Sequence, residues 1–474
     1  MPKQHLSDTR KISFPLTTMA PSTTATTTTT TVLLLFLTFS LLQTTTTAEL
    51  DTTSDCTGRW IHIRKLPTRF NLDLLTNCSS FFPLYPDFCP DLANHGLGPK
   101  THNHSHSWYR TDPHLLELFF HRRLLEYPCL SPHPHQSDAV FLPYYSSLDS
   151  LRFLYGPDYN SSHLHGLDLF SFLQSNDPDI WGRNNGHDHF LIMARTAWDF
   201  SQPLPVKNDE ENERLWGTSF LMLPELFNLT VLTLESRAWP WQEQAIPHPT
   251  SFHPSNLGFL DSWVSRVRKS RRSSLMFFAG GGGTSPTGNP NVRRSIREEC
   301  GAVQNSSVAD GRRFQKLCEI VDCSNGICEH DPIRYMKPML QASFCLQPPG
   351  ETPSRRSTFD GIIAGCIPVF FEDQSAKNQF QWHLPPVEFG EFSVTIPKEE
   401  VVFKGLKIVD VLMGIPRAEV RKMREKVMEL IPRIMYRKHG SSLGLRAKKD
   451  AFDIAIEGTL QRIKGRLNDV SAAG

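Results

Sequence analysis

The chain has 474 residues, 39% hydrophobic and 21% charged, with a formal net charge of +1. That length leaves room for roughly two or three ordinary domains, and the balanced charge argues against a nucleic-acid partner. The one dense basic run, "RVRKSRR" at 266–272, precedes an apolar strand and is expected to be a solvated connecting helix.

From Ile12 to Ala48 there is no charged residue, and Lys3, Arg10 and Lys11 stand ahead of it. Inside lies the apolar run Val32 to Leu42, "VLLLFLTFSLL". It is short for a spanning helix and fits a cleaved signal as well as an uncleaved anchor. In both cases the body is exported, because basic residues before the run hold the N-terminus in the cytosol. Five N-x-S/T sequons follow, at Asn77, Asn103, Asn160, Asn228 and Asn305, and are candidate glycosylation sites. All ten cysteines lie beyond residue 55. Cys300, Cys318, Cys323 and Cys328 crowd into a loop-like stretch suited to disulfides, whereas a zinc site from Cys318, Cys323, Cys328 and His330 fits the usual spacing poorly. Cys345 and Cys366 fall inside predicted buried strands and are expected to be free thiols. The histidines of "NHGLGPKTHNHSHS" (94–107) lack a carboxylate partner and read as a surface loop.

A first α/β run begins with a helix over 112–127, carrying Leu115, Leu118, Phe119 and Leu125, and a strand from Ala139 that ends in an aromatic loop. A second strand covers Phe190 to Ala194, with Arg195, Thr196, Trp198 and Asp199 beyond its carboxyl end, and a third covers Leu226 to Ser236. Pro-rich residues 240–254 and the basic helix connect to a second run. That run opens with the strand of "SSLMFFAGGGG" and a helix around "NVRRSIREEC" (291–300). Ser285 stands where a dinucleotide fingerprint needs its last glycine, so the glycine loop is weak evidence for a nucleotide.

The centre of the second run is a strand–helix–strand unit: Ser343 to Gln347, a loop over 348–354, a helix capped by Thr352 or Ser354 with Phe359, Ile362 and Ile363 buried, and a strand over 366–371 after Gly365. Arg355 and Arg356 fall in the helix's first turn, where positive charge opposes the dipole. An anion bound there reconciles the two, and pyrophosphate is the commonest. The alternative is an ordinary i, i+4 surface pair of Arg356 with Asp360. A long helix then carries Val420, Met423, Val427, Ile431 and Ile434 on one face with a kink at Pro432, and a closing helix covers about 450–466. The order implies two α/β halves facing a cleft.

The segments "SFCLQPPGETPSRRSTFDGIIAGCIPVFFEDQSA", "FFAGG", "NNGHDHFLIMARTAWDF", "AVFLPYYSSLDSLRFLYG" and "QWHLPPVEFGEFSVTIP" resemble the exostosin-like plant glycosyltransferases of family 47, nearest the xyloglucan galactosyltransferases. The resemblance implies a GT-B fold, two Rossmann-like domains facing a cleft, behind an N-terminal membrane anchor. The expected segments are a cytosolic tail (1–31), a signal-anchor (32–48), a stem (49–58), an acceptor-side domain (59–265) and a nucleotide-sugar domain with closing helices (266–474). It implies a single-pass type II Golgi membrane protein that moves galactose from UDP-galactose to xyloglucan, alone or in a complex with other glycosyltransferases. The same resemblance leaves UDP-galacturonic acid as an alternative donor, with Arg195 or Lys337 to meet its carboxylate. Arg355, Arg356, Ser354, Asp360, Gly280 and Gly281 become donor-binding candidates, with Asp360 standing where many relatives have glutamate. Asp199, Asp188 and His189 are candidates for the base of an inverting transfer, and Tyr144 and Tyr145 for stacking on a glucan chain. No cofactor or metal is expected. Asp177 to Asp179 match D-x-D only as a chance turn, and arginines with a helix dipole already face the leaving group. Two other classes compete: a glycoside hydrolase, which needs two carboxyls flanking one bond, and a non-catalytic carbohydrate-binding protein.

Overall fold

The computed structural model describes residues 56–473 apart from 77, 80–86, 102–105, 156–160, 205–215, 282–290, 305–313, 324–327 and 329–331. The expected signal-anchor, His330 and the sequons at Asn77, Asn103, Asn160 and Asn305 therefore lie outside the described residues. Among the described residues no helix is long and apolar enough to cross a membrane.

The architecture is α/β, with two five-stranded parallel sheets. The first runs β1 (Ile61–Ile63), β2 (Ala139–Phe141), β3 (His189–Thr196), β4 (Thr230–Glu235), β5 (Glu243–Ala245), in that spatial order. The second contains β6 (Ser274–Ala279), β7 (Lys316–Val321), β8 (Ala342–Gln347), β9 (Ile367–Phe370) and β10 (Val394–Thr395), ordered 10-9-8-6-7. Strands of parallel sheets are covered on both faces and so read as unbroken apolar runs. In β3 the alternation divides the side chains between two cores. Phe190, Ile192 and Ala194 pack with helix α1 (Leu116–Leu124). Leu191 and Met193 face Leu169 and Leu173 of α2 (Leu164–Ser175).

Helix α3 (Leu257–Lys269) packs Leu260, Trp263 and Val267 into the second half's core. The basic run is solvated as expected at Arg266, Arg268, Lys269 and Arg271, and Arg272 turns inward, donating to the carbonyls of Met339, Ala342 and Ala364 at 2.7–2.9 Å. Met339 lies in the last turn of the helix Pro332–Gln341, Ala342 opens β8 and Ala364 caps the C-terminus of the helix Arg356–Ile363, so element ends converge on the guanidinium. Helices α4 (Val292–Gln304), α5 (Pro332–Gln341), α6 (Arg356–Ile363) and α7 (Arg417–Ile434) complete the second half. The closing helix α8 (Ala451–Ala473) returns to the first sheet, where Phe452, Ala455 and Ile456 share a core with Leu232 and Leu234.

The cysteine expectation needs one correction. Cys345 and Cys366 are joined as a disulfide, because the parallel register of β8 and β9 brings their Cα atoms within 5.7 Å. Cys56–Cys129, Cys78–Cys89, Cys300–Cys318 and Cys323–Cys328 are also bonded, so Cys318, Cys323 and Cys328 are not zinc ligands.

Candidate active site

The loop after β8 and the start of α6 hold the two adjacent arginines, and the fold sends them in opposite directions. Neither Thr352 nor Ser354 caps the helix: Arg355 occupies the N-cap position in extended backbone, without a side-chain cap. Ser354 turns away, and both its N–H (2.6 Å) and its hydroxyl (2.5 Å) donate to Glu235 at the end of β4. Arg355 folds over its own loop, donating to the Ser354 carbonyl at 2.6 Å and to Thr352 Oγ1 at 3.1 Å. Beside it lies Arg293 of α4, whose Nε donates to the Pro349 carbonyl at 2.9 Å. Both guanidiniums press on Gly350, where a Cβ atom would lie 1.8 Å from Arg355 and 2.7 Å from Arg293. Only a residue with no side chain lets them meet there. Burial and the facing charge of Arg293 lower Arg355 to about 10. Two like charges held together at a helix N-terminus form a ready site for a diphosphate.

Arg356 is engaged elsewhere. It donates to the Thr111 carbonyl at 2.8 Å and to Ser251 Oγ at 2.9 Å, and its Nε lies 3.5 Å from Asp360. The i, i+4 pair thus forms, but buried, against the first half. Asp360 is only 2% exposed, and burial pushes its carboxyl up to about 6 despite Arg356 and a hydrogen bond from Tyr335. In that setting it does not present a carboxylate to a ribose.

Gly280 is a strand extension rather than a phosphate cradle. Its N–H donates to the Val321 carbonyl, and its own carbonyl accepts from Arg297. The Gly281 carbonyl faces Arg293 at 3.5 Å.

The base candidates separate by strand end. Asp188 and His189 stand at the entry of β3, buried together, with Asp188 also held by Arg183 and Asn184 at 2.7 Å each. Eight residues of strand, about 25 Å, divide them from the carboxyl edge. Asp199 lies at that edge, its two oxygens accepting from Arg195 (2.7 Å) and Trp216 (3.0 Å). Arg195 is therefore committed to Asp199, and Lys337 sits exposed on α5.

Tyr144 and Tyr145 are core residues. Tyr144 is 1% exposed, its hydroxyl bonded to Asp149 and His165, and Tyr145 bonds His121. Their ring faces are covered by neighbours, so neither can stack on a glucan. Exposed aromatic rings near Asp199 include Trp198 and Trp216, the latter bonded to it.

Sequence reasoning passed over Arg293 and Glu235. Arg293 sat in a basic helix start with no apparent partner, and Glu235 looked like the polar end of an apolar strand. Thr196 pairs with Glu235 across β3 and β4, so Asp199 and Glu235 share one edge, and that edge meets the loop carrying Arg355.

A model described as the exostosin GT47 domain matches residues 55–412. The protein named "Probable xyloglucan galactosyltransferase GT19" of Arabidopsis thaliana is 66% identical over 414 residues, covering 87% of this chain and 92% of that protein. "Xyloglucan galactosyltransferase MUR3" of the same plant is 34% identical, over 87% of this chain and 64% of its own length. "Xyloglucan-specific galacturonosyltransferase 1", also from Arabidopsis thaliana, is 32% identical over 86% of this chain and 58% of its own length.

Proposed function

The chain belongs to the exostosin GT47 family of glycosyltransferases, and we propose that it moves galactose from UDP-galactose to xylosyl side chains of xyloglucan, with inversion at the anomeric carbon. The observation that carries this is the convergence of Arg293 and Arg355 over Gly350 at the N-terminus of α6. As UDP departs, charge develops on the diphosphate, and a preorganised pair of guanidiniums at a helix N-terminus stabilises it. Arg356 and Asp360 brace the site from behind. In this reading Asp199, fixed by Arg195 and Trp216, takes the acceptor proton, and Trp198 and Trp216 offer ring faces to the glucan. The two sheets, with the carboxyl end of β4 meeting the donor loop, are read as the two halves of a GT-B enzyme.

Galactose is favoured over galacturonic acid on two grounds. The relative at 66% identity carries the galactosyl name and that at 32% the galacturonosyl name. Arg195, one cation considered for an acidic sugar, is also taken by Asp199. The protein is further proposed to be a type II Golgi membrane glycoprotein anchored through residues 32–48, working on UDP-sugar without a divalent cation. Full activity in excess chelator is the expected result, and complete loss there would refute cation independence.

Titration of the lumenal portion (49–474) with UDP separates a transferase from a hydrolase or a lectin. Saturable binding that weakens about 10- to 100-fold in Arg355→Ala, with the fold intact by circular dichroism, is expected. Absence of UDP binding by the folded wild type would count against the transferase.

A further inference from the structure

The end of β4 does more than border the site. Glu235 is fully buried, and both hydrogen bonds to its carboxylate come from one residue of the opposite half: the Ser354 N–H and hydroxyl donate to Oε2, while Oε1 is buried with no hydrogen-bond partner among the described residues. The next residue, Ser236, is gripped in the same direction. Its N–H and hydroxyl donate to Gln379 Oε1 at 2.8 and 2.9 Å, and Gln379 Nε2 returns a bond to its carbonyl at 3.1 Å. The turn held by Glu235 is the one over which Arg355 folds, using the Ser354 carbonyl and Thr352 Oγ1. Its far side is held by Arg293 through Pro349. His248 completes the packing, with Nε2 3.3 Å from Ser354 Oγ and its ring stacked on Phe359 of α6.

A carboxylate is suited to this task because it is acceptor-only, with room for several donors in a place that water does not reach. Burying it is costly unless those donors are supplied. The donors that Oε2 has come from the second half, so they reach Glu235 only while the two halves are docked. We infer that Glu235 is a positioning residue: from the acceptor-side sheet it holds the turn that aims Arg355, so that the donor site is complete only while the two halves are docked. It touches neither donor nor acceptor and takes no proton in the transfer. The inference rests on the donor reading of the Arg293–Arg355 pair.

The test compares Glu235→Ala with Glu235→Gln in initial-rate kinetics, and with UDP titration as a second readout. Glutamine keeps a carbonyl oxygen for Ser354, so it is expected to stay within about threefold of wild type in donor KM. Alanine leaves the turn unheld and is expected to raise donor KM and UDP Kd about tenfold or more, with acceptor KM unchanged. Should Glu235→Ala fail to fold, Ser354→Ala removes the hydroxyl that donates to Glu235 from the other side and is expected to raise donor KM. Donor KM and UDP Kd unchanged in the folded variant would overturn the inference. So would equal collapse of kcat in both Glu235 variants with loss of the acidic limb of the pH profile, since that marks a proton acceptor. Wild type that binds no UDP would defeat the donor reading instead, which keeps the two failures apart.

Discussion

At the scale of single residues, adjacent arginines do different work. Arg355 lies with Arg293 at the helix N-terminus, whereas Arg356 spends its guanidinium on Thr111, Ser251 and Asp360. On the proposed donor site, removing Arg355 or Arg293 takes away charge-assisted contacts to the diphosphate, so UDP affinity is expected to fall about 10- to 100-fold with little change in Tm. Removing Arg356 leaves Asp360 buried without its cation, and the expected cost is about 3 kcal/mol of stability. Thermal melts and UDP titrations on the same three variants check both halves of that statement. Asp360 also gives a pH signature. Its carboxyl is raised in the fold to about 6 from the ordinary aspartate value of ~3.9. The stabilisation tied to its neutral form is thus fully present below ~3.9 and is lost as pH rises through about 6. Asp360→Asn should flatten the fall in Tm between those values. An unchanged profile in the variant would show that another group sets it.

At the scale of elements, the βαβ unit around α6 is cross-linked as well as hydrogen-bonded. The Cys345–Cys366 disulfide closes a loop of 21 residues across β8 and β9, directly beneath the donor turn. Chain-entropy loss for such a loop is worth about 3 kcal/mol, so Cys345→Ala, Cys366→Ala is expected to melt well below wild type while still binding UDP. A melt coincident with wild type, or free thiols at both positions by peptide mapping, would contradict the bridge. This same unit shows what was legible beforehand and what was not. The apolar runs of β3, β4, β6 and β8 stand out because both their faces are buried. β1, β5 and β10 are two or three residues long and carry no period to read. Cys345 and Cys366 were visible as buried strand residues, but their pairing depends on register between strands. The donors to Glu235 and the acceptors of Arg356 lie 105 to 245 residues away along the chain. Tyr144 and Tyr145 mislead for the converse reason: an aromatic pair after a strand has the same composition whether it lines a groove or, as here, fills a core.

At the scale of the whole molecule, the chemistry depends on two parallel sheets meeting through their carboxyl edges. Glu235 and Ser236 tie the end of β4 to the donor turn and to Gln379, while α8 returns from the second half to complete the first sheet's core. Buried Arg123 of α1 pairs with Asp450 just before α8 at 2.8 Å, adding a further link between distant chain segments. Asp199 lies past the carboxyl end of β3, beside β4, whose end meets the loop carrying Arg355, and the proposed transfer uses that proximity. The most direct measurement is therefore a transfer assay with residues 49–474, xylosylated glucan oligosaccharides and a panel of UDP-sugars, read by product mass and linkage. A hexose added to xylose from UDP-galactose, with little from other donors, is the predicted result. Transfer only from UDP-galacturonic acid, or none from any donor by a folded protein that binds UDP, would contradict galactosyl transfer to xyloglucan.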